Sequence, residues 1–330
     1  MHASNHLCRF LSAIGFCVTA TLAQAAGLRS FDIPADADGP AIHGAIWSPC
    51  AEPPGQVVLG MITLPGVMDC PLPDGKLPLV VVSHGRGGNF AGHHDTSEAL
   101  ADAGFIVAAI SHPGDNSFDL SRSDDMSVYV ERPQDIKRLI DFMLLASPLS
   151  AAIDRERIGL LGFSRGGYTG LVAVGANPDW AKAAGACQHS ASRACAQILR
   201  KEYPAQPLTH DPRIKAAVIA DPLAVAFSAE SLSAVKVPVQ LWASAYGGDG
   251  VHPRDVAAVD ANLPARHDYR VVPNSWHFSF LPPCSAALLK AWPELCVDAP
   301  GFDRVAFHTQ FDADALAFFR TWLTRTAEVR

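Results

Sequence analysis

The sequence predicts an α/β protein: a mostly parallel sheet covered by helices on both faces. Three observations carry this expectation. Apolar runs rich in Val and Ile recur with few polar residues inside them, the composition of strands buried on both faces. Segments of helical spacing alternate with these runs, the order that a parallel sheet requires. The 330 residues are 49% hydrophobic and 18% charged, which suits a large core and excludes a disordered chain.

The elements follow in order. From about Leu28 the chain reads as strands, and "IHGAIW" (42–47) with "QVVLGMITL" (56–64) suggests an antiparallel start. Cys50 and Cys70 fall at the outer ends of that pair. "LPLVVVSHG" (77–85) is the first strand of parallel type, followed by a helix from about His94 to Ala103 that stops at Gly104. "FIVAAISHP" (105–113) is the next strand. "RPQDIKRLIDFMLLA" (132–146) is the next helix, with Pro133 in its first turn, where a missing N–H is harmless. "RIGLLGF" (157–163) and a helix from Gly166 to Val174 repeat the cycle. "IKAAVIAD" (214–221), "VPVQLWAS" (237–244) and "DYRVVP" (268–273) complete the sheet, and a helix from about Arg304 to Thr326 closes the chain.

Residues 177–212 break this rhythm, being longer than an ordinary connection. They read as a small cap over the C-terminal edge of the sheet, with a decorated surface loop as the alternative. Otherwise one domain, 26–330, accounts for the chain. Residues 1–25 have a different layout: one early cation (Arg9), an apolar centre from Phe10 to Leu22, and small residues at Ala23 and Ala25. That is the pattern of a cleavable secretory signal, and the apolar run is too short to span a bilayer. A secreted or periplasmic location follows, with no integral membrane segment once the signal is removed. Six cysteines remain beyond that segment, and an even number in an exported chain favours disulfides. The simplest pairing joins sequence neighbours: Cys50–Cys70, Cys187–Cys195 and Cys284–Cys296. Zinc ligation by Cys187, His189 and Cys195 lacks the usual spacing. The net charge of −7 offers no basic patch, so nucleic acid is not an expected partner.

The chemistry is carried by "RIGLLGFSRGGYTG" (157–170). Gly162-Phe163-Ser164-Arg165-Gly166 fits G-x-S-x-G at the point where a buried strand gives way to a helix. A five-residue pattern alone arises by chance; in this context it resembles the nucleophile elbow of the α/β-hydrolases. The elbow would lift the Ser164 hydroxyl clear of the sheet, and the backbone N–H of Arg165 would face an oxyanion formed there. "SHGRGG" (83–88) after the first parallel strand resembles the glycine-rich oxyanion turn of esterases. Arg86 is the second N–H donor in this reading, with Gly85 the near alternative. His277 in "VVPNSWHFSFLPPC" follows the last strand and is the base. His84 sits in the oxyanion turn and His112 after a strand, and either could be structural. The acid is open between Asp221, in "IADPLA", and Asp249, in "SAYGGDGVHP". Each follows a strand, and each could equally be a turn residue.

Together, "SHGRGG", "GFSRGG", "IADPLA" and "NSWHFSF" are similar to the dienelactone-hydrolase-related branch of the α/β-hydrolases, which includes the plasma-type platelet-activating-factor acetylhydrolases. The likeness runs from about Leu77 to Phe280. In the acetylhydrolases the acid follows the strand after the elbow helix, which implies Asp221; in dienelactone hydrolases it follows the next strand, which implies Asp249. The likeness tips the choice to Asp221. Dienelactone hydrolases use cysteine as nucleophile, so the serine here departs from their substrate class. The expected activity is a serine carboxylic-ester hydrolase working through an acyl-enzyme on a small-molecule or lipid-like ester, with no cofactor and no metal. A serine peptidase of the same fold and a catalytically silent binding protein are the alternatives.

Overall fold

The protein is described by a computed structural model over residues 26–59, 62–205 and 207–324. The expected signal segment 1–25 and the last residues of the expected C-terminal helix lie outside the described residues. In chain order the strands are β1 (Gly27–Ile33), β2 (Ile42–Ser48), β3 (Gly55–Leu59), β4 (Ile62–Met68), β5 (Leu77–Ser83), β6 (Ile106–Ser111), β7 (Ile153–Phe163), β8 (Ile214–Ala220), β9 (Val239–Ser244) and β10 (His267–Val272). The helices are α1 (His94–Asp102), α2 (Ser127–Leu145), α3 (Arg165–Ala173), α4 (Trp180–Cys187), α5 (Arg193–Leu199), α6 (Ala229–Leu232), α7 (Pro253–Asn262), α8 (Ala286–Ala291) and α9 (Arg304–Phe319).

All ten strands join one sheet in the order β10-β9-β8-β7-β5-β6-β2-β1-β4-β3. β5 to β10 run parallel to one another, and β2 closes onto β6 antiparallel. Both faces of the parallel part are dry because the strands alternate apolar side chains to either side. Leu79, Val81, Ile158 and Leu160 face one layer with Ile136, Leu139 and Ile140 of α2 and Leu171 and Val172 of α3. Val80, Val82, Leu161 and Phe163 face the other, with Leu100 of α1 and Phe311, Ala315 and Phe319 of α9. The sheet order reverses at β5: β6 lies on one side of it and β7 on the other. The loops leaving the C-terminal ends of β5 and β7 therefore border one crevice, the place where sheets of this kind hold ligands.

Two expectations are corrected. The stretch 56–64 is not one strand paired with β2. It divides into β3 and β4, which pair antiparallel with each other, while β2 lies between β1 and β6. Helix α2 starts at Ser127, before the expected residue 132, so Pro133 sits inside it. Proline removes the N–H that would bond to the carbonyl of Tyr129. That carbonyl finds a donor from another helix, the Tyr168 hydroxyl at 3.2 Å.

The three disulfides are the sequence-neighbour pairs, Cys50–Cys70, Cys187–Cys195 and Cys284–Cys296. Residues 177–212 contain α4 and α5, clipped together by Cys187–Cys195. Trp180 of α4 packs near Tyr129 and Tyr168, while Ser192 and Arg193 at the start of α5 hold Asp124. Among the described residues no helix is long and apolar enough to cross a membrane.

Candidate active site

Ser164 is where the chain turns from β7 into α3. Its backbone adopts φ 57° and ψ −119°, a left-handed conformation that costs a non-glycine residue of order 1–3 kcal/mol. Three backbone hydrogen bonds hold it there: Ser164 N–H donates to Ala220 O at 3.0 Å, and Ser164 O accepts from Tyr168 and Leu223, both at 3.0 Å. The flanking glycines are required by contact. A Cβ on Gly162 would stand 2.2 Å from Gly166 O, and one on Gly166 would stand 1.9 Å from Ser83 O. Those approaches let the turn close tightly around Ser164.

The structure brings Ser164, His277 and Asp221 into one hydrogen-bonded chain. His277 Nε2 lies 2.9 Å from Ser164 Oγ, and His277 Nδ1 lies 2.6 Å from Asp221 Oδ2. All three are buried, with Ser164 4% exposed and His277 1%. An ionised carboxylate accepts only, so Nδ1 carries the proton and Nε2 presents its lone pair to the hydroxyl. The Phe163 ring stacks on the imidazole at 4.7 Å and 23°, which restricts its rotation. The turn before α7 backs the imidazole: His277 N–H donates to Gly247 O at 2.9 Å, and Gly248, at φ 138°, leaves room for the His277 Cβ.

Asp221 ends the strand beside the elbow, with φ 42°. Its carboxylate accepts from the Ser244 N–H at 2.9 Å and the Ser244 hydroxyl at 2.8 Å as well as from His277. Asp249 stands elsewhere, half-exposed at the rim, with Oδ1 3.8 Å from an Arg86 guanidinium nitrogen.

The 83–88 turn leaves β5 directly against the nucleophile: a Cβ on Gly85 would lie 3.2 Å from the Ser164 Cβ. Arg86 is the next residue, its side chain exposed. The N–H of Arg165 is at the first position of α3, where backbone donors have no partner inside the helix. Its side chain points the other way, into a buried network. There Asp115 Oδ2 accepts from Arg165 at 2.8 Å and from Arg132 at 3.1 Å. Burial alone would raise the Asp115 carboxyl; the two guanidinium charges and its hydrogen bonds outweigh that and hold it below the usual range. His84 is fully buried, and burial together with Arg132 lowers its imidazole to about 3. Its Nε2 accepts from the His112 N–H at 3.1 Å, so its proton is on Nδ1, donated to Gly85 O at 2.6 Å. A second serine–histidine–aspartate chain, Ser83–His112–Asp135, has spacings of 2.9 and 2.9 Å, but it is sealed inside the core. The three residue types alone therefore do not make a site; the strained strand-to-helix bend distinguishes Ser164.

One group of possible metal ligands occurs among the described residues: Asp95, His308 and Asp312, with their ligand atoms within 4.8 Å of one another. Each is already engaged, His308 with Asp95 and Ser279 O, and Asp312 with Thr96. Two supporting groups escaped the sequence reading. Ser244, a polar residue ending an otherwise apolar strand, could have been noticed. Asp115 and Arg132 are ordinary in sequence, and nothing local marks them as buried.

The fold is that of the α/β-hydrolases. The sequence profile of platelet-activating factor acetylhydrolase, isoform II, matches residues 50–124. The platelet-activating factor acetylhydrolase of Canis lupus familiaris is 27% identical over 159 residues, covering 35% of this chain and 36% of that protein. The chain thus spans about a third of the length of this relative. Among solved structures, a ferulic acid esterase from Streptomyces cinnamoneus superposes with TM-score 0.62 at 18% identity, covering 94% of this chain and 93% of the other. The dienelactone hydrolase of Anabaena variabilis gives TM-score 0.51 at 16% identity, covering 90% and 99%.

Proposed function

We propose that this chain is a serine hydrolase of carboxylic esters that works through an acyl-enzyme. The observation that carries the reading is His277 Nε2 at 2.9 Å from the hydroxyl of a serine held on a strained strand-to-helix bend. Ser164 Oγ attacks the ester carbonyl and gives its proton to His277 Nε2. Asp221 holds the imidazole tautomer and favours the imidazolium that forms. The N–H groups of Arg86 and Arg165 receive the tetrahedral oxyanion, each contributing about 3 kcal/mol by the scale of single-donor deletions. The imidazolium then protonates the leaving alkoxide. Water, deprotonated by the same imidazole, releases the acid and restores the serine. The proton transfers use side chains already in contact, Ser164, His277 and Asp221, and no step calls on a cofactor.

The ester preference is supported by the acetylhydrolase and esterase matches, and three disulfides fit an oxidising, extracytoplasmic compartment. The substrate in this reading is a small or lipid-like ester, with residues 177–212 as a cap near the site. Hydrolysis of p-nitrophenyl acetate by the wild type and by Ser164→Ala tests the proposal. Equal rates would remove it, and cleavage of peptides without esters would transfer the chain to the peptidase reading.

A further inference from the structure

We propose that Asp115 is a positioning residue that holds the two halves of the oxyanion hole in register. This rests on the reading of Ser164 as nucleophile. The two donors assigned to the oxyanion come from separate segments, the 83–88 turn after β5 and the first residue of α3. The β5–β7 ladder ends at Ser83 and Gly162, so the turns beyond it need a further tie. Asp115 touches both sides. Its Oδ2 binds the Arg165 guanidinium at 2.8 Å, anchoring the residue whose N–H is one of the two assigned donors. The same oxygen binds Arg132 at 3.1 Å, and Arg132 donates onward to the His84 carbonyl at the start of the turn. Asp115 Oδ1 accepts from Ser123 at 2.8 Å and reaches the Gly87 N–H at 3.4 Å, at the far side of Arg86. Arg86 therefore lies between two points tied to one carboxylate.

The arrangement has the properties a template needs. Asp115 has no solvent exposure, and Arg132 and Arg165 are 1% and 5% exposed, so water cannot substitute for the lost contacts. Arg165 is further fixed by donation to Ser123 O at 2.8 Å and to the Tyr129 hydroxyl at 3.2 Å, with its guanidinium 4.9 Å from the centre of that ring. Two forked cations around one carboxylate define distance and angle together. Asp115 touches neither Ser164 nor His277 in any of these contacts, so its influence runs through the backbone donors alone.

The test uses the full chain with p-nitrophenyl acetate and a trifluoromethyl ketone, an inhibitor whose adduct with serine carries an oxyanion. Asp115→Asn keeps the shape and removes the charge. Its kcat is expected to fall about 100-fold, the cost of misplacing a reacting geometry by roughly 1 Å, with KM within about twofold. Affinity for the ketone falls by the same factor. Arg132→Lys keeps a charge but loses the fork that reaches both Asp115 and His84 O, and is expected to lose about tenfold in both readouts. Should Asp115→Asn not fold, Arg132→Lys decides. A folded variant with kcat and ketone affinity both within twofold of wild type overturns the positioning role, as does a rise in KM alone. Ser164→Ala in the same assay separates the two claims: full activity there would sink the nucleophile reading itself.

Discussion

His277 and Asp221 are both buried and meet at 2.6 Å, and Asp221 receives two more hydrogen bonds from Ser244. Asp249, the other candidate acid, is paired at 3.8 Å with Arg86 on the rim. Asp221→Asn presents an amide that can hold the wrong imidazole tautomer, so kcat for ester hydrolysis is expected to fall roughly 10⁴-fold. Asp249→Asn loses an exposed ion pair and should change kcat by no more than about fivefold. Steady-state kinetics on both variants checks the assignment, and a collapse in Asp249→Asn alone reverses it.

The glycines make a second, sharper contrast. Gly166→Ala would drive a Cβ to 1.9 Å from the Ser83 carbonyl oxygen, where backbone cannot yield. That variant should lose at least about 3 kcal/mol of stability or fail to accumulate. Gly185, inside α4, has nothing beyond its own helix turn within 4 Å of the added carbon. Gly185→Ala should instead stabilise by about 0.5–1 kcal/mol through reduced chain entropy and better helix propensity. Denaturant unfolding of both variants measures the difference.

His84 sets a pH dependence of known sign. Burial lowers its folded value from 6.5 to about 3, so the unfolded chain binds the extra proton in between. Its contribution is complete above pH 6.5 and is lost progressively as pH falls from 6.5 towards 3, at about 1.4 kcal/mol per unit. His84→Gln removes the titrating group. Between pH 6.5 and 4.5 the wild type should therefore lose about 2–3 kcal/mol more than the variant, read from unfolding free energies at the two pH values. Parallel losses in the two proteins would show that His84 is not held neutral.

Cys50–Cys70 links the end of β2 to the end of β4, a sequence separation of 20, on the half of the sheet away from β8 and β9. Replacing both with serine should lower stability by about 3 kcal/mol through the freed loop of the unfolded chain. The kcat of the folded variant at 25 °C should be unchanged. Unfolding curves and ester kinetics on one preparation test both halves of this statement.

The parallel half of the sheet was legible because burial on both faces writes itself into the strands: β5, β7 and β8 each carry apolar side chains to both layers. The bend at Ser164 was legible because its signal is local, two glycines in contact across one turn. The pairing of the early strands was not. β2 finds β6 across the whole of β3, β4 and β5, and no short-range pattern records that choice. In sequence Pro133 resembles a first-turn proline; the Tyr168 hydroxyl that serves the freed Tyr129 carbonyl, a contact remote in sequence, lets α2 run through it. Spacing leaves Asp221 and Asp249 level, since both follow strands; the family resemblance favours Asp221, and Asp221 is the one in contact with Ser244 and His277.

Labelling with a fluorophosphonate, which reacts with activated serines, tests the central claim most directly. Mass spectrometry of the digested wild type should find one adduct, on the peptide carrying Ser164, and His277→Ala should abolish it while remaining folded. An adduct on another serine, or undiminished labelling of Ser164 without His277, would contradict the account.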